Sequence, residues 1–165
     1  MKHFLARPRA LFLLPALLVA ACLGGAAASR ADDGKGDADR FREHLELLNY
    51  TCTPQGDGVL LFQTEGANPN FLFAPQNGGY ILRSYWSATE AGKAQRAAFL
   101  DLVNQLNAEA VASRYFLDGD GDLVAEAWFP GGYEKKSFGN FLSRFNADWT
   151  VCLGKHGPAL QTFVE

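Results

Sequence analysis

Beyond about residue 37 the apolar positions alternate between helical and extended spacing. Phe41, Leu45 and Leu48 stand at i, i+4 and i+7, which lines one face of a helix; Asp37 or Asp39 is available as its N-cap, and it ends near Asn49. The next forty residues lose that period. Val59-Leu60-Leu61-Phe62, Phe71-Leu72-Phe73 and Tyr80-Ile81-Leu82 are short runs of β-formers, separated by turn-forming stretches at 55–58, 66–69 and 77–79. They predict an antiparallel meander of three strands, with an extra strand available at 50–53.

Helical spacing returns with Phe99, Leu102, Val103 and Leu106, on a helix capped at Ser87 or Thr89 that stops near Asn107. Residues 113–117 and 123–129 then flank Asp118-Gly119-Asp120-Gly121-Asp122 as a strand–turn–strand hairpin, closed by Pro130-Gly131-Gly132. A last helix carries Phe138, Phe141, Leu142, Phe145 and Trp149 on one stripe, and Gly154 and Gly157 argue against its continuing far beyond them. The order is α-β-β-β-α-β-β-α, an α+β domain over residues 38–165 with an antiparallel sheet packed against helices.

Residues 1–31 read differently. Lys2, Arg7 and Arg9 precede an apolar run of about 14 residues, shorter than the ~20 that a spanning helix needs, and small residues follow it. This is the pattern of a signal peptide, and the expected location is the periplasm or cell envelope. Leu18-Val19-Ala20-Ala21-Cys22 has the form of a lipobox that would place a lipid on Cys22, the one membrane attachment the sequence offers. Cleavage beside Ser29 or before Asp32 by an ordinary signal peptidase is the other route. Residues 32–37 are a flexible spacer.

Removing the leader changes the charge picture. The whole chain carries 15 basic and 18 acidic residues. The leader holds four of the basic ones and no acid, so 15 − 4 = 11 basic residues remain against 18 acidic, a net charge of −7. Such a domain has no electrostatic footprint for nucleic acid. Export also places Cys52 and Cys152 in an oxidising compartment, where a bridge between them is the expectation and two buried thiols the alternative.

Candidate chemistry is sparse. The Asp118–Asp122 cluster offers carboxylates to a hard cation, but an EF-hand loop needs Gly at the sixth position and a bidentate Glu at the twelfth, where this chain has Leu123 and Phe129. It reads as a hairpin turn. Cys152 and His156 are four apart, yet two ligands do not close a zinc site, and His44 stands alone. Nucleophile elbow, Walker loop and dinucleotide fingerprint are absent from the sequence, so neither catalytic residues, nor a metal, nor a cofactor is expected.

Strand alternation supplies the one functional inference. If Gln63, Arg83, Arg114 and Glu126 mark the outward face, the same face holds Leu61, Ile81, Tyr85, Phe116, Val124 and Trp128. A face that apolar requires a covering: a second copy, a partner protein, or the chain's own helix or C-terminal tail.

The element order, together with Leu102-Val103-Asn104-Gln105-Leu106-Asn107, Arg114-Tyr115-Phe116-Leu117-Asp118 and the hairpin that follows, resembles the YbjN-type family of bacterial proteins over about residues 40–149. The resemblance implies a fold similar to type III secretion chaperones, whose members tend to dimerise and hold other proteins, and a loosely defined role as sensory-transduction regulators. It names no functional residues, and the export leader departs from it. The leading expectation is a non-enzymatic, chaperone-like or regulatory protein-binding module acting on a protein partner or on itself as a homodimer. The alternative is a periplasmic domain binding a small ligand or metal ion between sheet and helix.

Overall fold

A computed structural model describes residues 36–165. The leader at 1–31, with Cys22, and the spacer up to residue 35 lie outside the described residues. The element order is α1 (Asp37–Glu46), β1 (Thr51–Gly56), β2 (Val59–Gln63), β3 (Phe71–Gln76), β4 (Gly79–Trp86), α2 (Glu90–Ala94), α3 (Arg96–Glu109), β5 (Arg114–Leu117), β6 (Leu123–Pro130) and α4 (Lys135–Phe163). The strands form one antiparallel sheet in the order β1-β2-β3-β4-β6-β5. The α+β class and the antiparallel sheet are as expected, and the extra strand is real: it is β1.

Local chemistry accounts for the hairpins. Asp57 and Gly58 (φ 50° and 75°) turn β1 into β2, and Asn77 and Gly78 (φ 49° and 74°) turn β3 into β4. Positive φ at both central residues is the two-residue turn whose twist matches that of the strands, and Asn, Asp and Gly tolerate it best. The first helix closes on Asn49 (φ 63°), with Asn49 N–H donating to the Glu46 carbonyl and Tyr50 N–H to that of Leu45. That is a Schellman closure, with Leu45 and Tyr50 as its buried apolar pair. Leu48, expected on the buried stripe, is therefore swung out and exposed. Neither Asp37 nor Asp39 is the cap; Gly36 holds that position, and both acids stand in the first turn.

Two further expectations are corrected. The middle helix is broken at Gln95 (φ −110°, ψ 42°), so Thr89 caps only the short α2 through Gly92 N–H, 3.0 Å away. The last helix does not stop at its glycines but runs 29 residues through Gly154, Gly157 and Pro158. A proline ring inside a helix crowds the carbonyl four residues back, here that of Gly154, and both residues lie on the solvent side. No helix among the described residues is long and apolar enough to cross a membrane.

All the long helices pack on one face of the sheet. Around Phe41 of α1, the rings of Phe73, Tyr80, Phe129, Tyr133 and Phe138 lie 4.5 to 5.9 Å away, centroid to centroid, mostly tilted or edge-on. A second cluster joins Phe99, Leu102, Val103 and Leu106 of α3 to Tyr115, Leu123 and Ala125 of the sheet and to Trp149, Cys152 and Leu160 of α4. There Trp86 and Trp149 stack at 4.1 Å, 15° from parallel. The chain end is anchored to this cluster: Val164 is buried in it and bridges to Ala88.

The short edge strand β5 is held by polar groups as well. Asp148 of α4, buried at 6% exposure, accepts N–H bonds from Val111, Ala112 and Ser113 at 2.8 to 2.9 Å. The Asn107 side chain donates to the Tyr115 carbonyl at 2.8 Å and accepts from Tyr115 N–H at 2.7 Å.

The expected bridge between Cys52 and Cys152 does not form; both thiols are free. Cys52 lies on β1 at one edge of the sheet, while Cys152 sits on α4 in the core cluster that contains Tyr115 of β5 at the other edge. Five inter-strand spacings of about 4.8 Å separate those edges, whereas a disulfide needs Cα atoms within about 7 Å. Burial pushes both thiols up from their ordinary pKa, most plainly that of Cys152.

Two outcomes follow. Protein prepared without reductant, then unfolded, should show both Cys52 and Cys152 alkylated by peptide mass. Asp148→Ala should lower unfolding stability by about 3 kcal/mol in a denaturant titration, because three N–H groups lose a charged acceptor, and Asp148→Asn should lose less because one acceptor oxygen remains.

Candidate functional site

The face opposite the helices is organised by register. Leu61 pairs with Leu72, Leu72 with Arg83, Arg83 with Glu126, and Glu126 with Arg114, so one straight row crosses β2, β3, β4, β6 and β5. On one side of it runs Ala74–Ile81–Trp128, and on the other Tyr85–Val124–Phe116. Their sequence neighbours Phe62, Phe73, Leu82, Ala125, Ala127 and Phe129 all belong to the helix-side clusters, so alternation turns these rows the other way. None of the described helices packs on this face. The C-terminal residues lie with the helix-side cluster and do not cover it.

Every one of the eight expected surface positions, Leu61, Ile81, Arg83, Tyr85, Arg114, Phe116, Val124 and Trp128, falls on this face, and three adjoining rows bring them together. Their exposure is uneven. Ile81 and Val124 are buried at 5% and 1%: Ile81 has the larger Trp128 beside it, and Val124 has Tyr85 and Phe116 on either side. Leu61, Arg83 and Phe116 are half-buried. Tyr85 and Trp128 remain 43% and 49% exposed, and Arg114 is exposed.

At the centre, Glu126 is a carboxylate at 3% exposure held between two guanidinium groups. Arg83 Nε donates to Oε2, and Arg114 donates to Oε1 through Nε at 2.7 Å and through Nη2. Burial alone would lower the Arg83 pKa, but the hydrogen bond and charge of Glu126, aided by Tyr85, move it upward. Arg114 also lies 5.7 Å over the Phe116 ring, a cation–π contact. The cluster leaves one net positive charge on the face. The Trp128 indole donates to the Gln76 carbonyl at 3.2 Å and lies across Gly79, where a Cβ would stand 3.0 Å from Nε1. A shallow depression of about 610 Å3 adjoins it, lined by Ile81, Trp128, Arg114, Glu126 and Val111 among others.

The remaining candidates do other work. Asp118 spends one carboxylate oxygen on the N–H groups of Asp120 and Asp122, closing the turn, while Asp122 accepts from Ala88 N–H at 2.8 Å and ties the turn to the link between β4 and α2. Cys152 and His156 do share α4, yet the thiol is buried in the core cluster with Tyr115 and the imidazole stands 3.4 Å from Glu109. Among the described residues there is no group of three or more His, Cys, Asp or Glu arranged to hold a metal. Sequence reasoning missed Leu72 and Val111. Leu72 is flanked by Phe71 and Phe73, so no polar neighbour marks its face, while Val111, 77% exposed, stands in a link without periodicity.

An open-faced antiparallel sheet backed by helices on its other side defines a class of small α+β modules. Within that class, residues 37–149 match the YbjN family, described as "Putative bacterial sensory transduction regulator", and the chain belongs to it. The crystal structure of YbjN from E. coli superimposes with a TM-score of 0.59 at 14% identity, over 77% of this chain and 94% of that one. A chain of the heterodimeric ExoU-SpcU complex from the type III secretion system of Pseudomonas aeruginosa gives 0.48 at 14% identity, over 68% and 94%. No curated protein matches the sequence.

The central cluster makes an asymmetric prediction. Glu126→Ala should cost about 2 kcal/mol by denaturant titration, since both guanidinium groups lose their counter-charge, whereas Arg114→Ala should cost under about 1 kcal/mol because Arg83 still neutralises the carboxylate.

Proposed function

We propose that this protein is a non-enzymatic, regulatory or chaperone-like module of the cell envelope that holds another protein against the open face of its sheet. The observation that carries the reading is the placement of Trp128, Tyr85 and Arg114, partly or wholly exposed, on a sheet face that none of the described helices covers. Trp, Tyr and Arg are the residue types most enriched where binding energy concentrates at protein interfaces, and here half-buried Leu61, Phe116 and Arg83 surround them. Membership of a family described as regulators supports a binding role over a chemical one.

The envelope location rests on residues 1–31, whose cationic start, short apolar core and small-residue exit are those of an export signal. Acylation at Cys22 would tether the domain to a membrane, with the spacer letting it reach a partner; cleavage near Ser29 or Asp32 would release it.

The test is a photo-crosslinking amino acid placed in living cells at Tyr85, at Trp128, and at Asn104 on the helix side as a control. Discrete adducts at the first two positions and none at Asn104 are expected. Trp128→Ala should then weaken binding of the captured protein about thirtyfold, ~2 kcal/mol, with the far-ultraviolet circular dichroism of the folded domain retained. Adducts at Asn104 alone, or none at all, would remove the basis of the reading.

A further inference from the structure

We propose that the occupant of the open face is an acidic, amphipathic segment of another protein, a stretch in which a large apolar side chain is flanked by Asp or Glu, seated with that side chain in the depression beside Trp128 and its carboxylates on the Arg83–Arg114 pair. The inference deepens the preceding reading and rests on it.

Charge selects the partner. Beyond residue 31 the chain carries 18 acidic residues against 11 basic. The rows that form the open face reverse that balance, with Arg83 and Arg114 against Glu126 alone. Glu126 is already engaged by both arginines and is buried at 3%, so it presents no carboxylate to an incoming cation. The arginine side chains stay accessible, at 37% for Arg83 and 70% for Arg114. What approaches this face meets guanidinium N–H groups, which prefer carboxylates and bind them in paired geometry.

The same charges argue against a second copy. A two-fold contact brings identical surfaces together, so it would bury four arginines against two carboxylates that are already saturated. A contact between this face and the acidic flank of another copy is heterologous, which does not close and leads to open chains.

Apolar recognition is supplied beside the charge. Ile81 and Trp128 form the floor and wall of the depression, Val111 its exposed rim, and Arg114 borders it. A carboxylate next to an apolar anchor therefore meets both features at once.

Protein purified from cells expressing the full chain is titrated with three synthetic twelve-residue peptides that share one central Leu-Phe anchor and differ only in flanks of Glu, Ser or Lys. Binding is followed by tryptophan fluorescence, with Trp128→Phe identifying the contribution of the open face. The Glu-flanked peptide should bind about tenfold more tightly than the Lys-flanked one at low salt, and the gap should shrink as salt rises. Val111→Glu adds a negative charge at an exposed rim position, where folding is not at stake, and should erase most of that preference; Arg114→Gln should weaken the Glu-flanked peptide selectively. Equal binding of all three, preference for the Lys flanks, or binding of none overturns the acidic assignment. So does a dimer in sedimentation that Val111→Glu dissolves. If the crosslinks at Tyr85 and Trp128 form but capture neutral or basic segments, the face remains a protein-binding surface and only this inference falls.

Discussion

One ladder makes this molecule a single sheet. The meander β1–β4 and the hairpin β5–β6 are separated in sequence by two helices, and they join only because β6 pairs with β4 along eight residues, from Gly79 opposite Pro130 to Trp86 opposite Leu123. Both faces inherit their order from that register. Leu82, Ala125, Ala127 and Phe129 meet the helices on one side, and Ile81, Arg83, Tyr85, Val124, Glu126 and Trp128 align on the other. A slip of one residue would exchange the two sets, placing Glu126 among the phenylalanines around Phe41. The Arg83–Glu126–Arg114 row therefore also acts as a register lock, since its charges can be satisfied only in the observed pairing.

The helices account for the one-sided shape. Phe41, Phe138 and the α3 stripe are large and apolar, and the sheet offers them a face rich in phenylalanine at β2, β3 and β6. Helix α4 spans both halves of that layer, from Phe138 near α1 to Phe163 near α2. Its Asp148 reaches across to fix the link that leads into β5, so the edge strand carrying Arg114 and Phe116 is positioned from behind. The open face is thus braced from behind, on the side the helices occupy.

Much of this was legible in the residues. Helical spacing located α1, α3 and the start of α4; paired turn residues located the hairpins; alternation sorted the strand residues onto the correct faces. What escaped detection has physical causes. The break at Gln95 follows a short helix docked against the chain end, where at Gly92 a Cβ would stand 2.4 Å from the Phe163 carbonyl, a contact between distant parts of the chain that helical spacing does not reveal. The continuation of α4 overrides the weak propensity of Gly154, Gly157 and Pro158 because Leu160 and Phe163 are buried beyond them. The cysteine pairing failed because compartment and parity carry no information about distance, which the strand order alone decides. Leu72 was invisible since both of its neighbours are phenylalanine.

The placement of the tryptophans divides the molecule optically. Trp86 and Trp149, one from the sheet and one from α4, stack at 4.1 Å only while those two layers are docked, so their near-ultraviolet circular dichroism reports whether the core is assembled. Trp128 stands apart on the other surface, where its emission follows the polarity of whatever rests there. The protein carries separate built-in reporters for its integrity and for its occupancy, and neither requires a label.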